Sequence, residues 1–400
     1  MILKKIILGD FRNYEEQVLD FNGKFNYIYG DNGQGKTNIL EAISFISFGK
    51  SFLGASEHDC VKFGKEEFQI EGEYENDLQN VFHVFLNYNS TIKKKIFYVN
   101  KEKVTRYSSD IFGKFPIVYL SPQSLNLTYG NPSERRRFFD ILISQTNRLY
   151  LDFLKDLSKL IRQKNALLKN NLYFNAYTGN ELSDLLCSYN EKFVEISSNI
   201  IFRRLRFLIE FRSFFEKNFR FLITNNDKAS MSYYSELFGE IDFKRLGEYD
   251  KDMITKTLSN SLDQRMNEEI DRGLTLIGPQ RDDYIFRLMK NDKQPEENKS
   301  GFELKIYASQ GEHKTFVIAL KLAEYYYLKE KKATNPILLL DDLLSELDSN
   351  RVSKIISHLK DYGQIFLTTT DIKYKSSIEK FYDDNDISTY KVLNGCVPVN

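Results

Sequence analysis

Eight residues, Gly30-Asp31-Asn32-Gly33-Gln34-Gly35-Lys36-Thr37, combine glycines, a lysine and a hydroxyl in the spacing G-x-x-x-x-G-K-[ST]. Such a set can hold a polyphosphate. Gly30, Gly33 and Gly35 let the backbone curl so that its N–H groups point inward at phosphate oxygens. A helix opening near Lys36 adds the positive end of its dipole. Lys36 is then expected to bridge the β- and γ-phosphates, and the Thr37 hydroxyl to bind Mg²⁺. Far along the chain, Ile337-Leu338-Leu339-Leu340 runs into Asp341-Asp342. An unbroken apolar run is the pattern of a parallel strand buried on both faces. A carboxylate at its C-terminal end projects into the crevice where ligands bind. Asp341 is expected to hold Mg²⁺ through water, and Asp342 to polarise the attacking water. The two stretches together point to ATP and its hydrolysis.

The elements that must position these residues are legible around them. Phe25 to Tyr29 reads as a strand entering the loop, and Asn38 to Phe48 as a helix leaving it. Phe68 to Tyr74 and Val81 to Tyr88 alternate as half-exposed strands do. Lys93-Lys94-Lys95 reads as a hairpin tip before a strand from Ile96 to Val99. Pro116 to Leu120 is a short strand leading into the loop Ser121-Pro122-Gln123-Ser124-Leu125. At Pro132 the pattern changes to helical spacing: Phe139, Leu142, Leu149, Phe153, Leu157, Leu160, Leu167. A second long helix is expected from about Glu181 to Ile223. Two antiparallel helices of roughly 40 residues would make an arm of roughly 60 Å. A third helix, Lys251 to Arg272, is closed by Gly273. Strands are expected at Leu274 to Ile277, Tyr284 to Leu288 and Ile365 to Thr370.

Composition narrows the classes. Hydrophobic residues make up 42% of the 400, enough for a sizeable core in two or three domains. No run approaches the ~18 apolar residues of a membrane span. MILKKIILGDF lacks the long apolar region and the cleavage site of a signal peptide. Cys60, Cys187 and Cys396 fit no zinc or disulfide framework, so a cytoplasmic protein is expected. Net charge is zero, but residues 133–223 carry 16 Lys+Arg against 10 Asp+Glu. That basic segment hints at a polyanion partner.

Ser309-Gln310-Gly311-Glu312 opens a helix with small residues that leave N–H groups accessible to an anion. It resembles the signature sequence of ABC-type ATPases, usually Ser-Gly-Gly-Gln. By that resemblance Ser309 and Gly311 bind the γ-phosphate of ATP held by another subunit, and Ser345-Glu346-Leu347-Asp348 is a D-loop. From Lys36 to Asp341 is 305 residues, far longer than in transport ATPases of this class. The helical segment supplies the insertion, shorter than the coiled coil of SMC-like ATPases.

With these pieces in order the sequence resembles the RecF family of bacterial DNA-repair ATPases over nearly its whole length. The matching segments are FRNY (Phe11 to Tyr14), GDNGQGKTNILEAI (Gly30 to Ile43), GKSF (Gly49 to Phe52) and PSERRRFFD (Pro132 to Asp140). TLIGPQRDD (Thr275 to Asp283), ASQGEHKT (Ala308 to Thr315) and LLLDDLLSELD (Leu338 to Asp348) follow. Leu53 stands where the family has Arg, Gln280 where it has His, and Gln123 where an acidic residue is common. Thr368-Thr369-Thr370-Asp371 replaces the switch histidine of ABC ATPases, which resembles RecF and argues for slow hydrolysis.

The resemblance implies an α/β fold: an ABC-type ATPase head with an inserted helical arm. The head is expected at residues 1–132 and 275–400, the arm at 133–274. It implies Arg12 as a nucleotide contact and Gln123 as a member of the catalytic site. It further implies binding of single-stranded and duplex DNA, an ATP-dependent homodimer, weak ATPase activity, and RecR and RecO as partners in recombinase loading and the SOS response. Arg136 and Arg137 are candidate DNA contacts in the basic segment. A transporter ATPase subunit would lack the inserted arm. A nuclease would need a metal cluster that the four histidines do not form. An ATP-gated clamp without significant hydrolysis is the remaining alternative, because Asp342 stands where many relatives have Glu.

Overall fold

The computed structural model describes residues 1–105, 110–174, 176–177, 179–223, 227–290, 301–343 and 355–398. The chain forms two compact units, residues 1–125 with 317–400, and residues 126–316.

The first unit holds two sheets. One is wholly parallel, in the order Ile387–Lys391, Phe25–Tyr29, Ile365–Thr369, Ile337–Asp341, Ile117–Leu120. Both Ile337–Asp341 and Ile365–Thr369 are buried at every residue, as expected of strands covered on both faces. The other sheet has six antiparallel strands, ordered Glu16–Asp20, Ile2–Gly9, Glu67–Glu75, Val81–Asn89, Lys94–Val99, Glu102–Lys103. The helix Lys36–Phe48 packs against strands of both sheets. Eleven of its thirteen residues are buried, so it lacks the polar face of a surface helix. Ile39, Ile43, Phe45 and Ile46 join Leu3, Ile6, Phe68, Ile70, Leu339 and Phe366 in one core.

The second unit is built on the helices Pro132–Thr146, Arg148–Phe174, Gly179–Leu222 and Lys251–Arg272. The first expected helix is two. Asn147 is extended, and its side chain accepts from the Tyr150 N–H at 3.1 Å to start the next helix. Lys251–Arg272 has the expected bounds. Asp250 caps its start, accepting from the Met253 N–H, and Gly273 closes it at φ 65°.

A four-stranded antiparallel sheet lies in the same unit, ordered Gly239–Ile241, Lys228–Ser235, Asp283–Met289, Phe302–Glu303. Asp283–Met289 pairs with Lys228 to Tyr234, and residues 275–316 cluster with the helices. The division expected from sequence set them with the head. The expected strand at Leu274 to Ile277 is absent, and the segment is irregular. Two of its backbone N–H groups go to helix side chains instead. Thr275 N–H donates to Asn165 Oδ1 and Leu276 N–H to Glu269 Oε1, each at 2.8 Å. Gln310–Lys332 runs through residues of both units.

Candidate nucleotide site

The loop Gly30–Gly35 leaves the parallel sheet at Tyr29 and ends at the N-terminus of helix Lys36–Phe48. Two of its glycines are sterically obligatory. A Cβ on Gly30 would sit 2.4 Å from the Val392 carbonyl oxygen. Gly35 lies at φ 112°, and a Cβ there would meet the Asn13 side chain at 2.7 Å. Asp31, Asn32 and Gly33 form the exposed crest of the loop.

Lys36 reaches back under this crest. Its ammonium donates to the carbonyls of Gly30 and Asp31, at 2.7 and 2.8 Å. Burial lowers its pKa from the ordinary lysine value, and Asp342, Asp341 and Asp31 oppose that shift. The Thr37 hydroxyl donates between the two Asp341 carboxylate oxygens, at 2.9 and 3.0 Å. Asp341 also accepts from the Thr368 hydroxyl at 2.6 Å. Burial raises the Asp341 pKa, and the bonds from Thr368 and Thr37 act against it. The loop and the buried strand thus meet through a hydroxyl and a carboxylate, two hard oxygen donors suited to Mg²⁺. Among the described residues no group of three or more His, Cys, Asp or Glu could hold a metal by itself. Few protein ligands plus substrate phosphates is the usual arrangement for Mg²⁺.

Asp342 follows in the left-handed region at φ 50°. Its N–H is held by the Thr368 carbonyl and hydroxyl, each at 3.1 Å. Gln123 is exposed in the turn Pro122–Leu125, just past the strand Ile117–Leu120. That strand pairs in parallel with Ile337–Asp341, so Gln123 stands at the same C-terminal edge as Asp341 and Asp342.

Arg12 also has positive φ, 56°, in the turn between the first two strands. Its guanidinium binds Glu41 and donates to the Asp59 carbonyl at 2.8 Å. The next two residues reach the loop. Asn13 donates to the Gln34 carbonyl at 2.8 Å, and the Tyr14 hydroxyl to the Gly35 carbonyl at 3.0 Å. From the chain's other end, Gly395 N–H donates to the Gln34 carbonyl and Asn394 N–H to the Gln34 side chain. Sequence reasoning gives Asn13 and Tyr14 no role of their own and misses Glu41, Asn394 and Gly395. The FRNY segment is the signal for Asn13 and Tyr14. Nothing in the composition of the final residues signals Asn394 and Gly395.

Ser309 and Gly311 belong to the second unit. Ser309 caps the helix Gln310–Lys332. Its N–H and hydroxyl both donate to Glu312 Oε2, at 2.7 and 2.8 Å, a capping box. Glu312 is in turn paired with Lys290 at 2.8 Å. The expected D-loop, Ser345 to Asp348, lies outside the described residues. In the basic segment, Arg135 is buried against Asp283, and Arg136 is half-buried, donating to the Asp282 carbonyl at 2.6 Å. Arg137 is exposed. Of the two departures in family segments, Leu53 packs against the core, and Gln280 donates to the nearby Ile277 carbonyl.

Comparison with known proteins finds relatives over nearly the whole chain. Residues 2–386 match the model of the RecF/RecN/SMC N terminal domain. The chain is 36% identical over 375 residues to the DNA replication and repair protein RecF of Chloroherpeton thalassium, covering 93% of this chain and 96% of that one. It is 35% identical over 379 residues to RecF of Ruminiclostridium cellulolyticum, covering 93% of each. A structure of the recombination mediator protein RecF with ATPrS in the RecFOR pathway superposes with a TM-score of 0.83 at 30% identity, over 99% of this chain and 97% of that one. The ATP form gives 0.82 at the same identity, over 99% and 98%. An Smc head domain from Pyrococcus furiosus, at 16% identity and a TM-score of 0.56, shares the fold, over 100% of this chain and 96% of that one.

Proposed function

The chain belongs to the RecF family of DNA replication and repair proteins, and from that premise we propose that it binds DNA under the control of ATP. The observation that carries the reading is the Thr37–Asp341 contact, which joins the phosphate loop to the buried acidic strand. In this reading Lys36 exchanges its two carbonyl partners for the terminal phosphates, and the loop N–H groups hold the remaining oxygens. Thr37 and Asp341 would hold Mg²⁺, which neutralises phosphate charge when bound. Asp342 accepts a proton from the attacking water, and Gln123 orients that water from the neighbouring strand end. Arg12 lies beside the loop as a further nucleotide contact. Hydrolysis is slow in this reading, because Thr368 stands at the edge where a histidine would assist.

ATP held by Lys36, Thr37 and Asp341 of one subunit is closed by Ser309 and Gly311 of another, giving a two-fold homodimer. The dimer binds single-stranded and duplex DNA in the cytoplasm, with RecR and RecO as partners in recombinase loading and SOS induction. No described helix is long and apolar enough to cross a membrane. Gel shifts on single strands, duplex and gapped duplex, with and without ATP, test the reading. Tighter binding with ATP than with ADP supports it. Equal binding with and without nucleotide on all three substrates overturns it.

A further inference from the structure

The second unit contains a cleft of about 700 Å³ between the helices Gly179–Leu222 and Lys251–Arg272. Its floor is apolar and fixed. Val194 and Leu262 are buried there beside Asn190, whose Oδ1 accepts from the buried Lys164 ammonium at 2.7 Å. Lys164 is also bound to Glu269 at 2.6 Å, so this floor is tied to three helices. The walls are charged. Glu191 lines one side, Asp252 and Asp263 the other, with Lys256 as the one basic lining residue among the described residues. Asp252, Lys256 and Asp263 recur at spacings of four and seven, one continuous stripe along the helix. Asp252 also suits the first turn of its helix, but Glu191 and Asp263 lie mid-helix and have no such local use.

We propose that this cleft docks a basic segment of a partner protein. Three carboxylates against one ammonium face the cleft, while residues 133–223 as a whole carry a net charge of +6. The carboxylates repel a phosphate backbone and favour lysine or arginine. The apolar floor accepts an aliphatic side chain between them, the arrangement of a short helix laid in a groove. This surface is distinct in chemistry from any DNA-binding face.

The test uses the full chain and a fluorescein-labelled peptide with Leu at one helical stripe and Lys flanking it. Glu191, Asp252 and Asp263 are exposed, so Glu191→Gln, Asp252→Asn and Asp263→Asn leave the fold intact. Each exposed charge should contribute about twofold to peptide affinity, and the triple variant should bind about tenfold more weakly. Cys187 lies on the cleft wall and Cys396 is exposed elsewhere, so alkylation reads the site against an internal reference. Peptide should slow alkylation of Cys187 and not of Cys396. Unchanged peptide affinity in the triple variant overturns the proposal, as does unslowed alkylation of Cys187. Protection of Cys187 by an oligonucleotide, or by raising the protein concentration alone, overturns it in favour of nucleic acid or a second copy.

Discussion

Arg12 and Glu41 form a two-point ion pair: Nε donates to Oε2 at 2.7 Å and Nη2 to Oε1 at 2.8 Å. Glu41 is fully buried in the helix that leaves the phosphate loop, and it also accepts from the Ser51 hydroxyl at 2.5 Å. The hydrogen bonds that Arg12 donates to the Glu41 carboxylate hold the Arg12 pKa above its usual value. One carboxylate thus fixes the first turn, whose Asn13 holds the loop, and the GKSF segment.

Glu41→Gln should therefore destabilise the first unit. The loss is about 1.5–3 kcal/mol, the range for hydrogen bonds to a charged group. It should fall short of the ~3–5 kcal/mol of a fully buried pair, because Arg12 can still reach water. The check is a lower urea midpoint with an unchanged slope. An unaltered midpoint would show that the pair carries no stability.

Lys36→Ala removes the ammonium expected to meet the terminal phosphates. ATP affinity should fall by roughly 10- to 100-fold, the equivalent of one or two charge-assisted hydrogen bonds. Calorimetry decides the matter, and unchanged affinity would remove the loop from the nucleotide site.

Asp342→Asn keeps the left-handed turn, since asparagine tolerates positive φ. It should keep ATP bound and slow hydrolysis, because an amide accepts no proton from water. Single-turnover hydrolysis at the parent rate would deny Asp342 that role.

The phosphate loop, the Asp341 strand and the glycine that closes Lys251–Arg272 were legible in the sequence because each is a local pattern. A glycine spacing, an apolar run and a glycine after a helix's last turn each act within a few residues. What the sequence withheld is set by distant partners. The sheet from Lys228–Ser235 to Asp283–Met289 joins strands about 50 residues apart, with a helix between. Thr275 and Leu276 give their N–H groups to Asn165 and Glu269 rather than to a neighbouring strand. The hold of Asn394 and Gly395 on Gln34 spans almost the whole chain.

Asp282 is a buried carboxylate beside Arg204 and Arg136, accepting from the Tyr233 hydroxyl. Asp140 and Asp283 are further carboxylates near Arg136, and the neutral Tyr284 phenol lies in the same cluster. Burial pushes its pKa up to about 6, with the Arg204 charge opposing. The folded chain thus holds this proton more tightly than the unfolded chain, whose aspartate titrates near ~3.9. Stability from this group is present at low pH and lost as pH rises between those values. Asp282→Asn should therefore gain relative to the parent as pH increases from about 4 to 7. Melting curves of both proteins across that range test this, and a constant difference would refute it.

Arg136 and Arg137 separate the structural and DNA-binding readings of the basic helix. Arg136 already donates to the Asp282 backbone carbonyl, whereas Arg137 is exposed. Replacing both with Ala should flatten the slope of log affinity against log salt by roughly one for each phosphate the two side chains neutralise. An unaltered slope would assign both arginines to the fold.

The assembly prediction turns on Ser309. Its hydroxyl and N–H are at the exposed start of Gln310–Lys332 and, among the described residues, both donate to the chain's own Glu312. Lys36, Thr37 and Asp341 belong to the other compact unit, so substitution at Ser309 leaves that set intact. If each chain carries two incomplete half-sites, a two-fold pair completes both. ATP should then stabilise the dimer by mass action, and ADP, lacking the γ-phosphate, should not. Ser309→Arg places a bulky side chain where the phosphate must enter. That variant should bind ATP with parental affinity yet sediment as a monomer, and it should lose ATP-dependent DNA binding. If it dimerises with ATP, Ser309 takes no part in closing the site. If the parent itself stays monomeric at saturating ATP, the shared-site mechanism is wrong, and ATP must act on DNA binding within a single chain.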